Sequence, residues 1–391
     1  MEEVVKYIIH FLLRGNDDAA CKVAYCPESA SLPNNSVIIL GDGLAQPLHY
    51  PDMQPPQVEQ LPDGRYVIHT DLIYNTFFFI SRAEELLNDQ RDRYGRFLAT
   101  YSILGQDNRL QHALIDEYSQ LLLTLLCLPV PEKHFSAINL THDIDTIAYY
   151  RHLRGAVGGI ARGQWRKVLA SLHDIHNDPA FTFPWMMEQD RQIAQADVIF
   201  FVKDTPGCGL DYPQYSLAHN SALQSVYDEY RMSIGSRLHF GLHSSAYENA
   251  SLAYRHNCPL INYQLHRSHY LSCSIKRMQQ LVDFGVTDDY TMAFPDRAGF
   301  RLQTTCPVRW INPTTRKLTS LTLHPLTIMD CTLSNSNYMN LDEDEALTYA
   351  EDLLSKIRLF NGEVNLLWHN TVFADNSYHR QLYPKILQLL Q

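Results

Sequence analysis

The stretch INLTHDIDTI, residues 138–147, joins the end of an apolar run to a set of titratable side chains. Its first residues are typical of a buried strand, and His142, Asp143 and Asp145 follow them directly. Residues i and i+2 of a strand point to the same side, so the two carboxylates are predicted to face one point. Thr and Asp also cap helices, but a cap would use only one of the two acids. We therefore predict a binding site at the end of this strand.

Apolar runs of this kind alternate with helical stretches through the rest of the chain. The predicted strands are SAINLTHD, DVIFFVKD, RLHFGLHS, PLINYQLHR, YTMAF, LTLHPLTIMD and GEVNLLWHN. This alternation indicates a mostly parallel sheet, and seven strands in about 255 residues favour an α/β barrel, complete or incomplete, over an open sheet. In such barrels the carboxyl ends of the strands surround the active site. The polar residues at these ends are Asp143, Asp145, His243, Arg267, His269 and His369.

The first 130 residues have a different pattern. SVIIL and RYVIHTDLIYNTFFFI predict strands, and QHALIDEYSQLLLTLLCL predicts an apolar helix. SRAEELLNDQRDRYGRF predicts another helix, with Ser81 and Glu84 spaced as a capping box. The prolines of PVPEKHFS, residues 129–136, interrupt the periodicity and indicate a linker. We therefore expect a smaller α/β domain over residues 1–130, followed by a barrel over residues 134–391.

The composition argues against several classes of protein. The formal net charge of −11 disfavours nucleic acid as the main partner, because phosphate binding needs a basic face. The eight cysteines include no CxxC pair, which argues against a thiolate zinc site. No apolar run reaches the roughly 20 residues of a membrane span. The start MEEVVKYIIHFLLRG lacks the basic opening and unbroken apolar centre of a signal peptide, so we expect an amphipathic first helix of a cytoplasmic protein.

Four strand-end motifs, in their order along residues 134–391, resemble the polysaccharide deacetylase family. These carbohydrate esterases share the NodB-homology domain, a distorted (β/α)7-type barrel. The motifs are THDID (141–145), FGLHSSAYE (240–248), RSHYL (267–271) and LLWHN (366–370). FFFISRAEE and RDRYGRF resemble the N-terminal companion domain of a bacterial subfamily. The resemblance implies metal-dependent hydrolysis of the acetamide of an N-acetylated sugar, in a bacterial surface polysaccharide or its precursor.

The resemblance also implies one divalent metal ion, with zinc expected. Asp145 and His243 correspond to metal ligands of the family, but the position of its second histidine is Tyr247. His269 is the candidate for the missing ligand, and the alternative is that it only hydrogen-bonds the backbone. Four residues of a strand span about 13 Å, which places His239 too far from His243 for both to bind one ion. We expect His239 to be a core or supporting histidine.

Other residues correspond to the catalytic groups of the family. The resemblance assigns Asp143 as the base that accepts a proton from water, and Arg267 as its ionic partner. His369 corresponds to the acid that protonates the leaving amine, although alone it would also fit a satisfied core histidine. A backbone N–H near Tyr270 corresponds to the group that binds the oxyanion.

Three charged residues of FPDRAGFR, residues 294–301, have several interpretations. Asp296, Arg297 and Arg301 could pair with one another, orient the arginine of RSHYL, or contact the substrate. Asp296 and Arg301 are the two predicted to contact substrate. Asp330 is predicted to orient the histidine of LLWHN. Structural ion pairs are the alternative for these residues.

The stretch YYRHLRGAVGGIARGQWRKVLA, residues 149–170, is basic in an acidic protein. It contains no acid and five cations, Arg151, Arg154, Arg162, Arg166 and Lys167. A solvated helix face is one interpretation. The others are recognition of an anionic glycan or lipid diphosphate, and peripheral contact with anionic lipid through residues 151–167.

Two other functions remain open from the sequence. A catalytically degenerate domain that binds glycan without turnover would account for Tyr247. A hydrolase of another C–N bond, in a small molecule, would also fit the barrel.

Overall fold

The computed structural model describes residues 1–203, 221–246, 258–374 and 377–391. Its helices are α1 (Glu2–Leu12), α2 (Asp17–Ala20), α3 (Leu72–Ser81), α4 (Glu84–Leu87), α5 (Leu114–Leu125), α6 (Leu153–Ala161), α7 (Trp165–His173), α8 (Phe183–Asp190), α9 (Ser221–Ile234), α10 (Ile275–Asp283), α11 (Asp330–Ser334), α12 (Glu343–Leu359) and α13 (Ser377–Gln388). Its strands are β1 (Val23–Cys26), β2 (Val37–Leu40), β3 (Val58–Gln60), β4 (Tyr66–Ile68), β5 (Ala137–Ile144), β6 (Asp197–Val202), β7 (Leu238–Ser244), β8 (Asn262–Ser268), β9 (Asp288–Met292), β10 (Val308–Asn312), β11 (Lys317–Pro325), β12 (Ile328–Met329) and β13 (Glu363–Leu367).

The larger sheet has nine strands in the order β10-β11-β9-β8-β7-β6-β5-β13-β12. All neighbours are parallel except β10 and β11. Strands β5, β6 and β13 are buried almost throughout, as expected for parallel strands covered on both faces. Each of the seven predicted strands forms, so the prediction of a mostly parallel sheet is confirmed.

The two ends of this sheet meet through one bent segment. β11 pairs with β9 near one end of the strand order, whereas β12 pairs with β13 at the other. Only residues 326–327 separate β11 from β12. Asn365 of β13 donates a side-chain hydrogen bond to the carbonyl of Pro325 at 3.0 Å, and its own carbonyl accepts from the amide of Thr327 at 3.4 Å. The sheet is therefore curled, with β11 and β12 beside β13.

The smaller sheet lies in the first 130 residues and has the order β1-β2-β4-β3. Residues 129–136 contain no helix or strand, as predicted for a linker. The parts before and after this segment share one apolar core. Trp310 of β10, for example, donates a hydrogen bond to the carbonyl of Ser81 at 3.2 Å. Within the described ranges, no helix has the length and apolarity required to cross a bilayer.

Part of the predicted strand RYVIHTDLIYNTFFFI is a helix. Only Tyr66–Ile68 is a strand, and Asp71 then caps α3 by accepting a hydrogen bond from the amide of Tyr74 at 2.8 Å. All ten residues of α3 are buried, so its aromatic side chains are used for core packing rather than for a sheet. The predicted capping box of Ser81 and Glu84 was also wrong, because Ser81 ends α3 and the next residue is left-handed. Helix α5 forms as predicted.

A buried histidine next to the closure of the sheet gives a testable pH dependence. His324 of β11 contacts Glu363 of β13 at 2.7 Å and Asp288 of β9 at 3.0 Å. Burial alone lowers the pKa of His324, but its hydrogen bonds to Asp288 and Glu363 outweigh burial and raise this pKa to about 9. Protonated His324 therefore stabilises the folded state. This contribution to the free energy of unfolding is fully present below pH 6.5 and is lost progressively as the pH rises towards 9.

We expect His324→Gln to lower the free energy of unfolding by on the order of 2–3 kcal/mol near pH 6 and by much less above pH 9. Denaturant titrations at both pH values measure this difference. His239→Gln, at a half-exposed histidine of β7, is the control and should show a smaller loss. An equal loss for His324→Gln at both pH values would contradict the ionic role.

Candidate functional site

Polar side chains from five neighbouring strands meet at one edge of the larger sheet. Strands β8, β7, β6, β5 and β13 are adjacent and parallel, so their carboxyl ends lie side by side. The residues in or directly after these ends are Asp143, Asp145, Lys203, His243, Arg267, His269 and His369. The structure therefore brings together all the strand-end residues that the sequence predicted, and adds Lys203.

The three predicted metal ligands form one compact group. The Oδ1 atom of Asp145 lies 3.1 Å from Nε2 of His269 and 3.5 Å from Nε2 of His243. One ligand atom from each residue lies within 4.8 Å of the others. Bonds of about 2.0–2.1 Å to a tetrahedral zinc ion would separate ligand atoms by about 3.3 Å, close to both distances. The spacing and the mixed oxygen and nitrogen donors therefore fit a divalent metal ion.

One atom of this group makes no hydrogen bond. Nε2 of His243 is buried and has no hydrogen-bond partner among the described residues, and the carboxylates of Asp145 and Asp143 lie 3.5 Å and 3.7 Å from it. Buried polar atoms without hydrogen bonds are rare and call for an explanation. Coordination of a metal ion by this atom would provide one, which is a second reason why these residues fit such an ion.

A lysine also contacts the carboxylate of Asp145. The Nζ atom of Lys203 lies 3.2 Å from Oδ1, the atom that His269 and His243 approach. Burial alone raises the pKa of Asp145, but His269, His243 and Lys203 outweigh burial and hold this pKa well below its usual range. The carboxylate is therefore charged at neutral pH. Lys203 was not predicted from the sequence, although it directly follows the apolar run of β6 at the same edge.

A buried arginine holds the second carboxylate. Nη1 of Arg267 donates to Oδ1 of Asp143 at 3.0 Å and to the hydroxyl of Thr141 at 2.7 Å, and Nε donates to the carbonyl of Tyr290 at 3.0 Å. Oδ2 of Asp143 lies 3.7 Å from Nε2 of His243. The predicted contact of Arg267 with Asp143 is therefore present, and one carboxylate oxygen faces the candidate metal ligands.

His369 is held by Asp330, as predicted. Its Nδ1 atom lies 3.0 Å from both carboxylate oxygens, and its backbone amide donates to Asp330 at 2.6 Å. Burial alone lowers the pKa of His369, but the charge of Asp330, with Cys331, outweighs it and raises this pKa well above its usual value. Nε2 of His369 lies 3.8 Å from Oδ2 of Asp145. His369 therefore presents a protonated ring to the group and is not an ordinary core histidine.

A cavity of about 860 Å³ opens over this group. Its floor includes Asp143, Asp145, His269 and His369, and one wall is formed by residues 91–101. This contribution of the first 130 residues was not predicted from the sequence, and neither was Cys331, whose side chain also lines the cavity. A contact between segments that are far apart in the chain leaves no local signal.

An aromatic stack connects this wall to the floor. The ring of Tyr270 lies 3.9 Å from the ring of His269 and 5.1 Å from that of Tyr94, nearly parallel to both. Tyr270 has a left-handed backbone with φ 57°, which is uncommon for a residue with a side chain. Arg96 donates a hydrogen bond to its carbonyl at 3.4 Å. Tyr270 therefore lines the cavity, and residues 94 and 96 support the turn that carries His269.

Asp296 and Arg301, predicted to contact substrate, are not part of the cavity. The carboxylate of Asp296 accepts hydrogen bonds from the amides of Ala99 at 2.8 Å and Thr100 at 3.2 Å. Arg301 donates to Glu85 at 2.7 Å and to a backbone carbonyl. Both are buried, and a buried charge needs such partners. They join the first 130 residues to the larger sheet. The alternative of a structural ion pair holds for Arg301 with Glu85, whereas Asp296 binds backbone amides instead. Arg297 is exposed.

The remaining histidines of the motifs lie outside the group. His239 lies 3.7 Å from Asp197 of the neighbouring strand and is half-exposed, so it is not a packed core residue. His142 is buried and contacts Asp190 at 3.2 Å, on the opposite face of β5 from Asp143. Tyr247 lies outside the described residues.

Comparison with known proteins gives one match, in the first third of the chain. A family model described as "Family of unknown function (DUF7033)" matches residues 7–131. No curated protein and no solved structure matches the chain. The N-terminal part is therefore similar to that family, and the functional interpretation depends on the side chains at the strand ends.

Proposed function

We propose that the protein is a metal-dependent deacetylase, which hydrolyses the acetamide of an N-acetylated sugar in a bacterial surface polysaccharide or its precursor. The observation that carries this proposal is the combination at the strand ends. A group that fits a metal ion, Asp145, His243 and His269, lies beside a carboxylate held by an arginine, Asp143, and a histidine held by a carboxylate, His369. Metal-assisted hydrolysis of an amide uses these components.

The proposed scaffold is a closed, distorted (β/α)7-type barrel. Counting β11 and β12 as one bent strand gives seven parallel strands, each paired with two others. The antiparallel β10 is then an addition at the outside of β11. The proposal is supported by the position of the polar group, since active sites of α/β barrels lie at the carboxyl ends of the strands.

Asp143 is the proposed general base. A divalent ion held by the three ligands would polarise the acetyl carbonyl and make water more acidic. Asp143 would accept the proton of that water through Oδ2, since its other oxygen is bonded to Arg267. Arg267 has its polar contacts with Asp143, Thr141 and the carbonyl of Tyr290, and its guanidinium lies 4.4 Å from the ring of Phe201. It therefore holds the base in place.

His369 is the proposed general acid. An acid that acts on a leaving amine must hold a proton at neutral pH and lie close to the reacting bond. Asp330 fulfils the first condition, because it raises the pKa of His369 and bonds Nδ1. The second is supported by the distance of 3.8 Å from Nε2 to Asp145. Nε2 is thus the atom that would transfer the proton.

The cavity supports a sugar as the substrate. Its volume is in the range of small-molecule sites, and its lining combines the aromatic side chains of Tyr94 and Tyr270 with polar groups. To test the proposal, acetate release from N-acetylglucosamine oligomers is measured before and after treatment with a chelator, and again after zinc is added. Release that a chelator abolishes and zinc restores would support the proposal. Release from a small non-sugar acetamide alone would indicate another C–N bond, and no release from either would contradict it.

A second candidate is a glycan-binding domain without metal or turnover, and Lys203 is the observation that favours it. Its ammonium lies 3.2 Å from the Asp145 oxygen that a metal would bind. The positive charge of Lys203 therefore pairs with this carboxylate in the place where a metal ion would otherwise do so. Zinc content of the purified protein separates the two functions, because only the deacetylase requires zinc in amounts equal to the protein.

For the deacetylase, we expect Lys203→Met to raise zinc affinity by about tenfold, because the ammonium repels the ion and competes for Asp145. Lys203→Arg, which keeps the charge, is the matched control and should bind zinc much as the unaltered protein does. Competition with a chromophoric chelator measures the affinities. Absence of zinc binding by all three proteins would instead support the metal-free domain.

A further inference from the structure

Helices α6 and α7 form a hairpin, residues 153–173, that directly follows the loop after Asp145. The two helices approach closely at Gly159, where a Cβ atom would lie 2.6 Å from the side chain of Val168. Gly159, Val168 and Ser171 are the buried residues of the hairpin. The helices therefore pack through a few small contacts, and most of their side chains point elsewhere.

Both helices turn an apolar stripe towards solvent. The stripe has the same spacing i, i+4 and i+7 in each helix, and its members are at least half exposed. They are Leu153 (82%), Val157 (57%) and Ile160 (57%) in α6, and Trp165 (51%), Leu169 (59%) and Leu172 (50%) in α7. A stripe with this spacing normally faces the core of a globular protein. Six large apolar side chains exposed on one short hairpin indicate a binding surface.

Cations accompany these stripes, and acids are absent. Residues 146–173 contain no Asp or Glu, although the chain has a net charge of −11. Arg154, Arg162 and Arg166 are exposed and take part in no ion pair within the described residues. The guanidinium of Arg166 lies 5.2 Å from the ring of Trp165, so charge and apolar surface are adjacent. The hairpin therefore matches a partner that is both apolar and anionic.

We infer that the α6–α7 hairpin docks the protein on an anionic lipid bilayer. Each helix has nine residues, about 13 Å, so the hairpin is too short to cross a bilayer and would lie in its interface. The apolar stripes enter the boundary of the acyl chains, and the arginines contact the lipid phosphates. A second copy of the chain fits less well, because a twofold contact would place these cations against their own copies. This inference is independent of the proposed deacetylase activity.

Vesicle binding tests the inference on the full chain. Sedimentation is measured with vesicles of phosphatidylcholine alone and with vesicles that also contain phosphatidylglycerol, at low and high salt. We expect binding to the anionic vesicles that is at least about tenfold tighter than to the neutral ones and weaker at high salt. Brominated lipid should quench the exposed Trp165, whereas Trp310 and Trp368 are fully buried and should be unaffected. Equal binding to both vesicles, or none, would overturn the inference.

Two sets of variants assign the binding to the hairpin. Trp165→Ser with Leu169→Ser and Leu172→Ser removes one apolar stripe, and Arg162→Gln with Arg166→Gln and Lys167→Gln removes three charges. Each should weaken binding to anionic vesicles by at least about tenfold. Met232→Ser controls for loss of an exposed apolar residue, and Lys22→Gln with Lys276→Gln and Lys317→Gln controls for charge.

Thermal unfolding of every variant shows whether the fold is retained. All exchanged side chains are exposed, so we expect unchanged unfolding. Binding that the control sets lower as much as the hairpin sets would overturn the inference. Concentration-dependent dimerisation that the stripe variant abolishes, without vesicle binding by the unaltered protein, would assign the surface to a second copy instead.

Discussion

Replacement of Asp143 by Asn is expected to leave zinc bound while it lowers acetamide hydrolysis by about 10²–10⁴-fold. The change keeps the size and shape of the side chain, but an amide cannot accept the proton that a carboxylate base takes from water. Asp145, His243 and His269 remain, so the metal should be retained. Zinc content and kcat/KM for acetate release are measured on the same preparation.

The change at Asp143 also affects stability, and the experiment must separate this effect from catalysis. Arg267 would lose its carboxylate while its guanidinium stays fully buried. Loss of one partner of a buried ion pair typically costs about 3–5 kcal/mol, although the bonds of Arg267 to Thr141 and Tyr290 remain. Assays are therefore run well below the unfolding temperature of the variant.

Asp296→Asn is the matched control for Asp143→Asn. Asp296 is another buried carboxylate after a strand end, but it accepts backbone hydrogen bonds from residues 99–100 and lies outside the cavity. Its replacement should lower stability and leave kcat/KM within a few-fold. Near-normal turnover of Asp143→Asn, or an equal loss of turnover in both variants, would remove Asp143 from the mechanism.

The candidate site follows from the sequence to the extent that it depends on strand order. Asp143, His243, Arg267 and His369 could be placed together because parallel strands align their carboxyl ends. Lys203 also lies directly after the carboxyl end of a parallel strand, β6, so the same alignment of strand ends would have predicted it. Strand order alone does not separate site residues from structural ones. Asp296 also follows a predicted strand, but its role is set by residues 99–100, which pack over it.

The parts of the fold that the sequence did not predict depend on packing between distant segments. The aromatic run of α3 has strand propensity, but its burial on all sides and the cap at Asp71 make it a helix. Strand β10 is only five residues long and lies between two prolines, so the sequence pattern does not predict it as a strand. The wall formed by residues 91–101 depends on tertiary contacts, such as the one between Tyr94 and Tyr270.

Replacement of His269 by Ala is expected to lower zinc affinity by at least about 100-fold. Even groups that only orient a ligand typically change metal affinity by about 10–100-fold, and His269 is proposed to bind the ion directly. Its Nε2 atom lies 3.1 Å from Oδ1 of Asp145, and the ring is held in place by the stack with Tyr270 and Tyr94. Acetate release should fall in parallel, because the hydrolysis proposed here needs the metal.

His239→Ala is the matched control, because it removes the same side chain from β7, four residues before His243. Its ring contacts Asp197 and lies outside the candidate group, so zinc affinity should not change. His269→Cys is the complementary variant, since a thiolate is also a zinc ligand and should restore part of the affinity. If His269→Ala binds zinc as tightly as the unaltered protein, the third ligand must come from another residue. If His269→Cys binds no better than His269→Ala, a thiolate at this position does not reach the ion.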